Sequence, residues 1–227
     1  MKGKLFIIEG GDGSGKATQT RLLTEHLQCD GYDVKSVSYP DYDSDSSALV
    51  KMYLHGDFGS DADAVNPYAA SAFFAVDRFA SYQMKWKAFY EQGGIVIADR
   101  YTTSNMLYQM IKIDDPDQRR AYLSWLEDFE FHKMGLPAPD KVFLLDVPLA
   151  VTERLMADRT GKTGGQTGDI HEKNEASWPN AMPPMTNWLN AITGSASPAQ
   201  KTGPCARPRP SIKTYTDSYL LYKGFFL

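Results

Sequence analysis

Ten residues near the start of the chain, Glu9-Gly10-Gly11-Asp12-Gly13-Ser14-Gly15-Lys16-Ala17-Thr18, constrain the fold more than any other stretch. They follow an apolar run, Leu5-Phe6-Ile7-Ile8, that reads as a strand, and they open a segment in which Leu22, Leu23 and Leu27 recur at helical spacing. A glycine-rich turn between strand and helix lets successive backbone N–H groups converge on phosphate oxygens, and the helix adds the positive end of its dipole. Gly10 to Lys16 fits the spacing G-x-x-x-x-G-K, which makes Lys16 a mobile cation for β- and γ-phosphates. The pattern calls for Ser or Thr where this chain has Ala17. The usual hydroxyl ligand for Mg²⁺ is therefore missing, and Thr18 stands one residue late as a substitute.

Further along, strands and helices alternate. Val34 to Tyr39 reads as a strand stopped by Pro40, Ser46-Ser47 as a cap for a helix over 48–54, and Pro67 as the start of an aromatic-rich helix reaching about Gln92. The continuous apolar run Ile95-Val96-Ile97-Ala98 is a strand buried on both faces, and it delivers Asp99-Arg100-Tyr101 at its carboxyl end. Helices are expected over 103–111 and 116–133, a strand over 141–146 and a helix over 149–159. This alternation implies a three-layer α/β domain, a doubly wound parallel sheet whose ligands sit at the strand carboxyl ends. The phosphate loop, the Tyr39-Pro40 loop and Asp99-Arg100 should converge there.

Composition narrows the partners. With 24 basic and 28 acidic residues the net charge is -4, which argues against a nucleic-acid polymer as ligand. The chain shows no apolar run long enough for a membrane span and no signal peptide, so a cytoplasmic location is the expectation. The two cysteines, Cys29 and Cys205, have no metal-ligand spacing. The segment 160–171 is glycine-rich; it reads either as a mobile lid that brings Arg154, Arg159 and Lys162 over phosphates or as a solvated loop.

Taken in order, the phosphate loop, Tyr39-Pro40, Phe73-Phe74-Ala75-Val76-Asp77-Arg78 and Asp99-Arg100-Tyr101-Thr102-Thr103-Ser104 resemble the thymidylate kinases, of the kind found in bacteria. The resemblance runs from Lys4 to about Glu175. It implies transfer of the γ-phosphoryl group of ATP to dTMP with Mg²⁺, and a homodimer. By the same resemblance Lys16, Asp12, Arg100 and Arg159 carry the chemistry. Asp12 engages the sugar 3′-hydroxyl and orients Lys16, Phe74 stacks on thymine, and Arg78 donates to its carbonyl edge. Arg100 contacts the acceptor phosphate, Asp99 holds the metal through water, and Tyr108 and Gln109 lie near sugar and base. Phe74 also fits a core aromatic and Arg78 a plain surface ion pair.

Two departures from the family matter. Many relatives carry an arginine just after the Tyr/Phe-Pro pair, where this chain has Asp41-Tyr42; Lys51 is the available replacement for that clamp. Gly13 stands where one subtype has arginine, which resembles the subtype whose catalytic cations come from the lid. The competing functions are a kinase for another deoxynucleotide or nucleoside, and a nucleotide-binding protein without catalysis.

Residues 1–176 thus read as the kinase domain, with a lid over about 154–171, and 177–227 as an anomalous segment. From Ser177 to Lys213 there is no Asp or Glu. Taking the third base of each codon with the first two of the next, Met185 to Gly194 permits Tyr-Asp-Glu-Leu-Ala-Glu-Arg-Tyr-His-Trp, in which Met-Thr forces Asp and Asn-Trp forces Leu. That is an acidic amphipathic helix, and it points to a frameshift between about Glu175 and Trp178. A tail out of frame leaves the C-terminal strand and helix of the fold without a sequence that encodes them.

Overall fold

The computed structural model describes residues 2–145, Val147, Thr152 and Tyr219–Leu221. Strand β1, Lys4–Gly10, lies mid-sheet, with β3, Ile95–Asp99, on one side and β4, Lys141–Leu145, on the other. β2, Val34–Ser38, flanks β3 at the edge, and every pairing is parallel.

The apolar runs are buried on both faces, as parallel strands covered by helices must be. Leu5 and Ile7 of β1, Val96 and Ala98 of β3, and Val142 and Leu144 of β4 join the large core with Trp86, Tyr101 and Leu126. The alternate residues Ile8, Ile97 and Leu145 face the other way and pack against Leu23 and Leu27 of the first helix. Each such fully buried side chain contributes about 1.5–3 kcal/mol relative to exposure. A charge introduced at Ile97 would therefore disrupt the centre of the sheet.

Among the described residues the helical elements include α1 Lys16–Cys29, α2 Ala48–His55, α3 Pro67–Ser81, α4 Lys87–Glu91, α5 Thr102–Tyr108 and α6 Pro116–Glu127. Two begin on a side-chain cap followed by proline: Asn66 accepts from the Ala69 N–H, and Asp115 from those of Asp117 and Gln118. The expected Ser46-Ser47 cap on α2 is not used that way. Ser44 caps a short 3₁₀ turn, Asp45–Ser47, and the Ser47 hydroxyl donates to the Ser44 carbonyl instead.

The long helices read from the sequence are interrupted. A π-helical turn, Tyr82–Trp86, joins α3 to α4, and another, Asp128–Lys133, extends α6. Such a turn adds a residue to the helical repeat and re-aims the side chains that follow. The first sets Trp86 Nε1–H to donate to the Tyr39 hydroxyl at 2.9 Å.

A three-residue strand β5, Tyr219–Leu221, pairs in parallel with β4 and completes the order β2-β3-β1-β4-β5. The out-of-frame reading expects no strand here; the Tyr-Leu-Leu run pairs with Val142 to Leu144 along the edge of β4. The remainder of the tail, the lid over 154–171 and the helix over 149–159, apart from Thr152, lie outside the described residues.

Candidate active site

Sheet register assembles the site. Ile8, Asp99 and Ser38 stand level across β1, β3 and β2. One residue on, the Arg100 N–H donates to the Ile8 carbonyl and the Tyr39 N–H to the Asp99 carbonyl, each at 3.0 Å. The phosphate loop, the Tyr39-Pro40 loop and Asp99-Arg100 therefore leave the sheet together at its carboxyl edge, where parallel sheets bind ligands. They line one cavity of about 450 Å³. The Tyr39–Pro40 peptide is cis.

In the phosphate loop the glycines are structural requirements. Gly10 has φ 154°, and a Cβ there would meet Ser14 Oγ at 2.8 Å and the Leu145 carbonyl oxygen at 2.9 Å. Gly15 has φ 88° and leads straight into α1. Lys16 Nζ folds back over the loop and donates to the carbonyls of Gly10 at 2.9 Å and Gly11 at 2.6 Å. Burial and the neighbouring Arg100 charge push its pKa down to about 8, against the opposing pull of Asp12, Glu9 and Asp99.

Arg100 links the two halves of the site. Its Nη2 donates to Asp12 Oδ1 and, at 3.2 Å, to the Tyr108 hydroxyl, and its guanidinium lies 5.2 Å from the centre of the Tyr108 ring. Nη1 is 3.6 Å from Glu9 Oε1 and is buried with no hydrogen-bond partner among the described residues. The residue has φ 68°, left-handed backbone that arginine adopts only at a cost. For Asp12, burial favours the neutral acid, but Arg100 and Lys16 outweigh it and hold the carboxyl below its ordinary value. For Asp99 burial wins, and the carboxyl is raised despite the same two cations. Glu9, fully buried, accepts from Thr103 at 2.6 Å and Ser104 at 2.9 Å and so anchors α5 beneath the loop.

Phe74 and Arg78, one turn apart on α3, line the same cavity. Arg78 is engaged by Glu130, with Nε to Oε2 at 2.8 Å and Nη2 to Oε1 at 2.5 Å. It lines the cavity and is held in a buried ion pair, not the surface pair that the sequence left open as the alternative. Tyr39, Pro40, Tyr108 and Gln109 also line the cavity, as do Gly13, Ala17, Thr18 and Asp99. Lys51 is not among the lining residues; Tyr42 is. Asp41 turns to Lys85, and its backbone N–H donates to Asp77 at 2.8 Å. Arg154, Arg159 and Lys162 lie outside the described residues.

The thymidylate kinase family model matches residues 8–195. The chain belongs to the thymidylate kinase family. Two thymidylate kinase relatives illustrate its range. One, "Thymidylate kinase" of Mycobacterium tuberculosis, is 30% identical over 171 residues, covering 75% of this chain and 78% of its own. A "Probable thymidylate kinase" of Thermococcus onnurineus is 33% identical over 160 residues, covering 70% and 73%. Bacterial and archaeal thymidylate kinases are thus about equally similar. The fold also matches a solved thymidylate kinase of Candida albicans at TM-score 0.60 and 23% identity, over 85% of this chain and 80% of that one. The family match continues about 19 residues past residue 176.

Sequence reading missed three residues of the site. Glu9 was legible as a carboxylate closing an apolar strand, and Asn105 as a helical neighbour of Tyr108 and Gln109. Glu130 carried no signal, because the π turn that aims it does not show in the spacing.

Proposed function

We infer that this protein transfers the γ-phosphoryl group of ATP to dTMP, yielding dTDP and ADP. The observation that carries the reading is one cavity lined by the phosphate loop, by Arg100 and by Phe74 and Arg78, so that a phosphate donor and a nucleotide acceptor share it. Phosphoryl transfer asks a protein chiefly for positioning and charge neutralisation. Lys16 leaves the loop carbonyls to meet the β/γ-phosphates, and the loop amides hold them. Arg100 meets the acceptor phosphate with its guanidinium while Asp12 steadies it and receives the sugar hydroxyl. Phe74 stacks on the base and Arg78 donates to its carbonyl. Arg154, Arg159 and Lys162 supply lid cations.

The donor set fits Mg²⁺ in its usual binding mode. No group of three or more metal-binding side chains occurs among the described residues, and Mg²⁺ commonly keeps its waters and the substrate phosphates, using one or two carboxylates. Asp99, in the cavity, would hold it; bound there the ion offsets phosphate charge. No helix among the described residues is long and apolar enough to cross a membrane. We place the enzyme in the cytoplasm as a homodimer.

A coupled assay of ADP formation with dTMP, dUMP, dCMP and dAMP as acceptors tests the assignment. dTMP should give the highest kcat/KM. An equal or better rate on another nucleotide would overturn it.

A further inference from the structure

Glu130 sits at the centre of a buried polar network that includes Arg78, yet it has no role of its own in the proposed reaction. Its carboxylate is fully buried and takes four hydrogen bonds: two from Arg78, one from Thr102 Oγ1 at 2.7 Å and one from Asn105 Nδ2 at 3.3 Å. Arg78 and Asn105 both line the cavity, from α3 and α5. Glu130 itself does not line it; it stands behind these two residues on the π turn that extends α6. π turns recur where a helix must aim one side chain at a functional site.

Two consequences follow from the bonding. The carboxylate engages Arg78 through Nε and Nη2, a planar fork that fixes the guanidinium and leaves Nη1 outside the pair. It also cancels the arginine's charge locally. A free guanidinium would attract any phosphate in the cavity, whereas one neutralised from behind remains an oriented N–H donor. Such a donor favours an uncharged carbonyl acceptor and rejects an exocyclic amino group, which would leave two donors facing each other. Asn105, tied to the same carboxylate by its Nδ2, is held in register with Arg78.

We propose that Glu130 is the positioning residue for base selection: by fixing Arg78 and Asn105 from behind the cavity wall, it makes the site prefer a pyrimidine with a 4-carbonyl over one with a 4-amino group. This rests on the dTMP kinase reading above and adds to it a residue that touches no substrate.

The test compares kcat/KM for dTMP and dCMP in the wild type and in Glu130→Gln, which keeps the shape and removes the charge. The dTMP preference should fall at least tenfold, mainly through a higher KM for dTMP, while KM for ATP stays within twofold. Thr102→Val leaves the Arg78 pair whole and removes one bond that orients the carboxylate; it should lower the same preference about threefold, and it serves if Glu130→Gln does not fold. A merely structural Glu130 predicts lower melting temperatures with the preference intact in both variants, and that result overturns the proposal. If the wild type prefers another nucleotide, the functional assignment fails instead, and the ratio in the variants still reports whether Glu130 governs base choice.

Discussion

Lys16 Nζ lies 3.8 Å from Asp12 Oδ1 and donates instead to the carbonyl oxygens of Gly10 and Gly11. The cation is held by its own loop, buried, with its pKa lowered to about 8. The sign of the pH effect is fixed by this. As pH rises through about 8, the free enzyme loses the Lys16 proton and with it the charge that meets the phosphates. At limiting ATP, kcat/KM should therefore decline through about pH 8, because that ratio reports ionisations of the free enzyme. In Lys16→Arg, whose guanidinium does not titrate in this range, the alkaline limb should vanish even though absolute rates are lower. An unchanged limb would assign it to another group.

Arg100 combines a positive φ of 68° with the charge that bridges Asp12 and Glu9. Arg100→Ala and Arg100→Gly both delete the side chain, so both should lose about 10²–10³-fold in kcat. They should differ in stability. Left-handed backbone costs alanine about 1 kcal/mol more than glycine, equivalent to roughly 2–4 °C in Tm for a domain of this size. Thermal melts should place the glycine variant higher; equal Tm values would mean that the backbone is not strained there.

Ala17, the second residue of α1, stands where a hydroxyl is usual, and it lines the cavity. Ala17→Ser should add a metal ligand and lower the Mg²⁺ concentration giving half-maximal rate several-fold. An unchanged Mg²⁺ titration would mean that Asp99, water and the ATP phosphates already complete the shell.

The tail can be tested by restoring its frame. If 177–227 is out of frame, apolar surface on β4 and its neighbours lacks its proper cover. Uncovering about 400 Å² costs about 10 kcal/mol, comparable with the stability of a whole domain. A chain carrying the restored sequence should melt about 10 °C or more higher and bind ATP more tightly. Equal melts and equal ATP titrations would remove the frameshift reading.

Much of this architecture was legible in the sequence for physical reasons. Ile95 to Ala98 had to be a buried parallel strand because nothing in it is polar, and Gly10 to Lys16 could hardly be anything but a phosphate loop between strand and helix. The interruptions were not legible. Tyr82–Trp86 and Asp128–Lys133 contain no glycine or proline, so only tertiary bonds, Trp86 to Tyr39 and Glu130 to Arg78, reveal why the helices widen there. Near the Tyr39-Pro40 loop, Tyr42 lines the cavity and Lys51 does not, and Asp41 is held by Lys85 and Asp77.

Single-turnover label transfer tests the central claim most directly. Enzyme in excess over γ-labelled ATP, mixed with dTMP, should move the label into dTDP, and Lys16→Ala should slow that transfer far more than it weakens dTMP binding. Label appearing only as inorganic phosphate, or ATP bound and left intact in the presence of dTMP, would contradict the account.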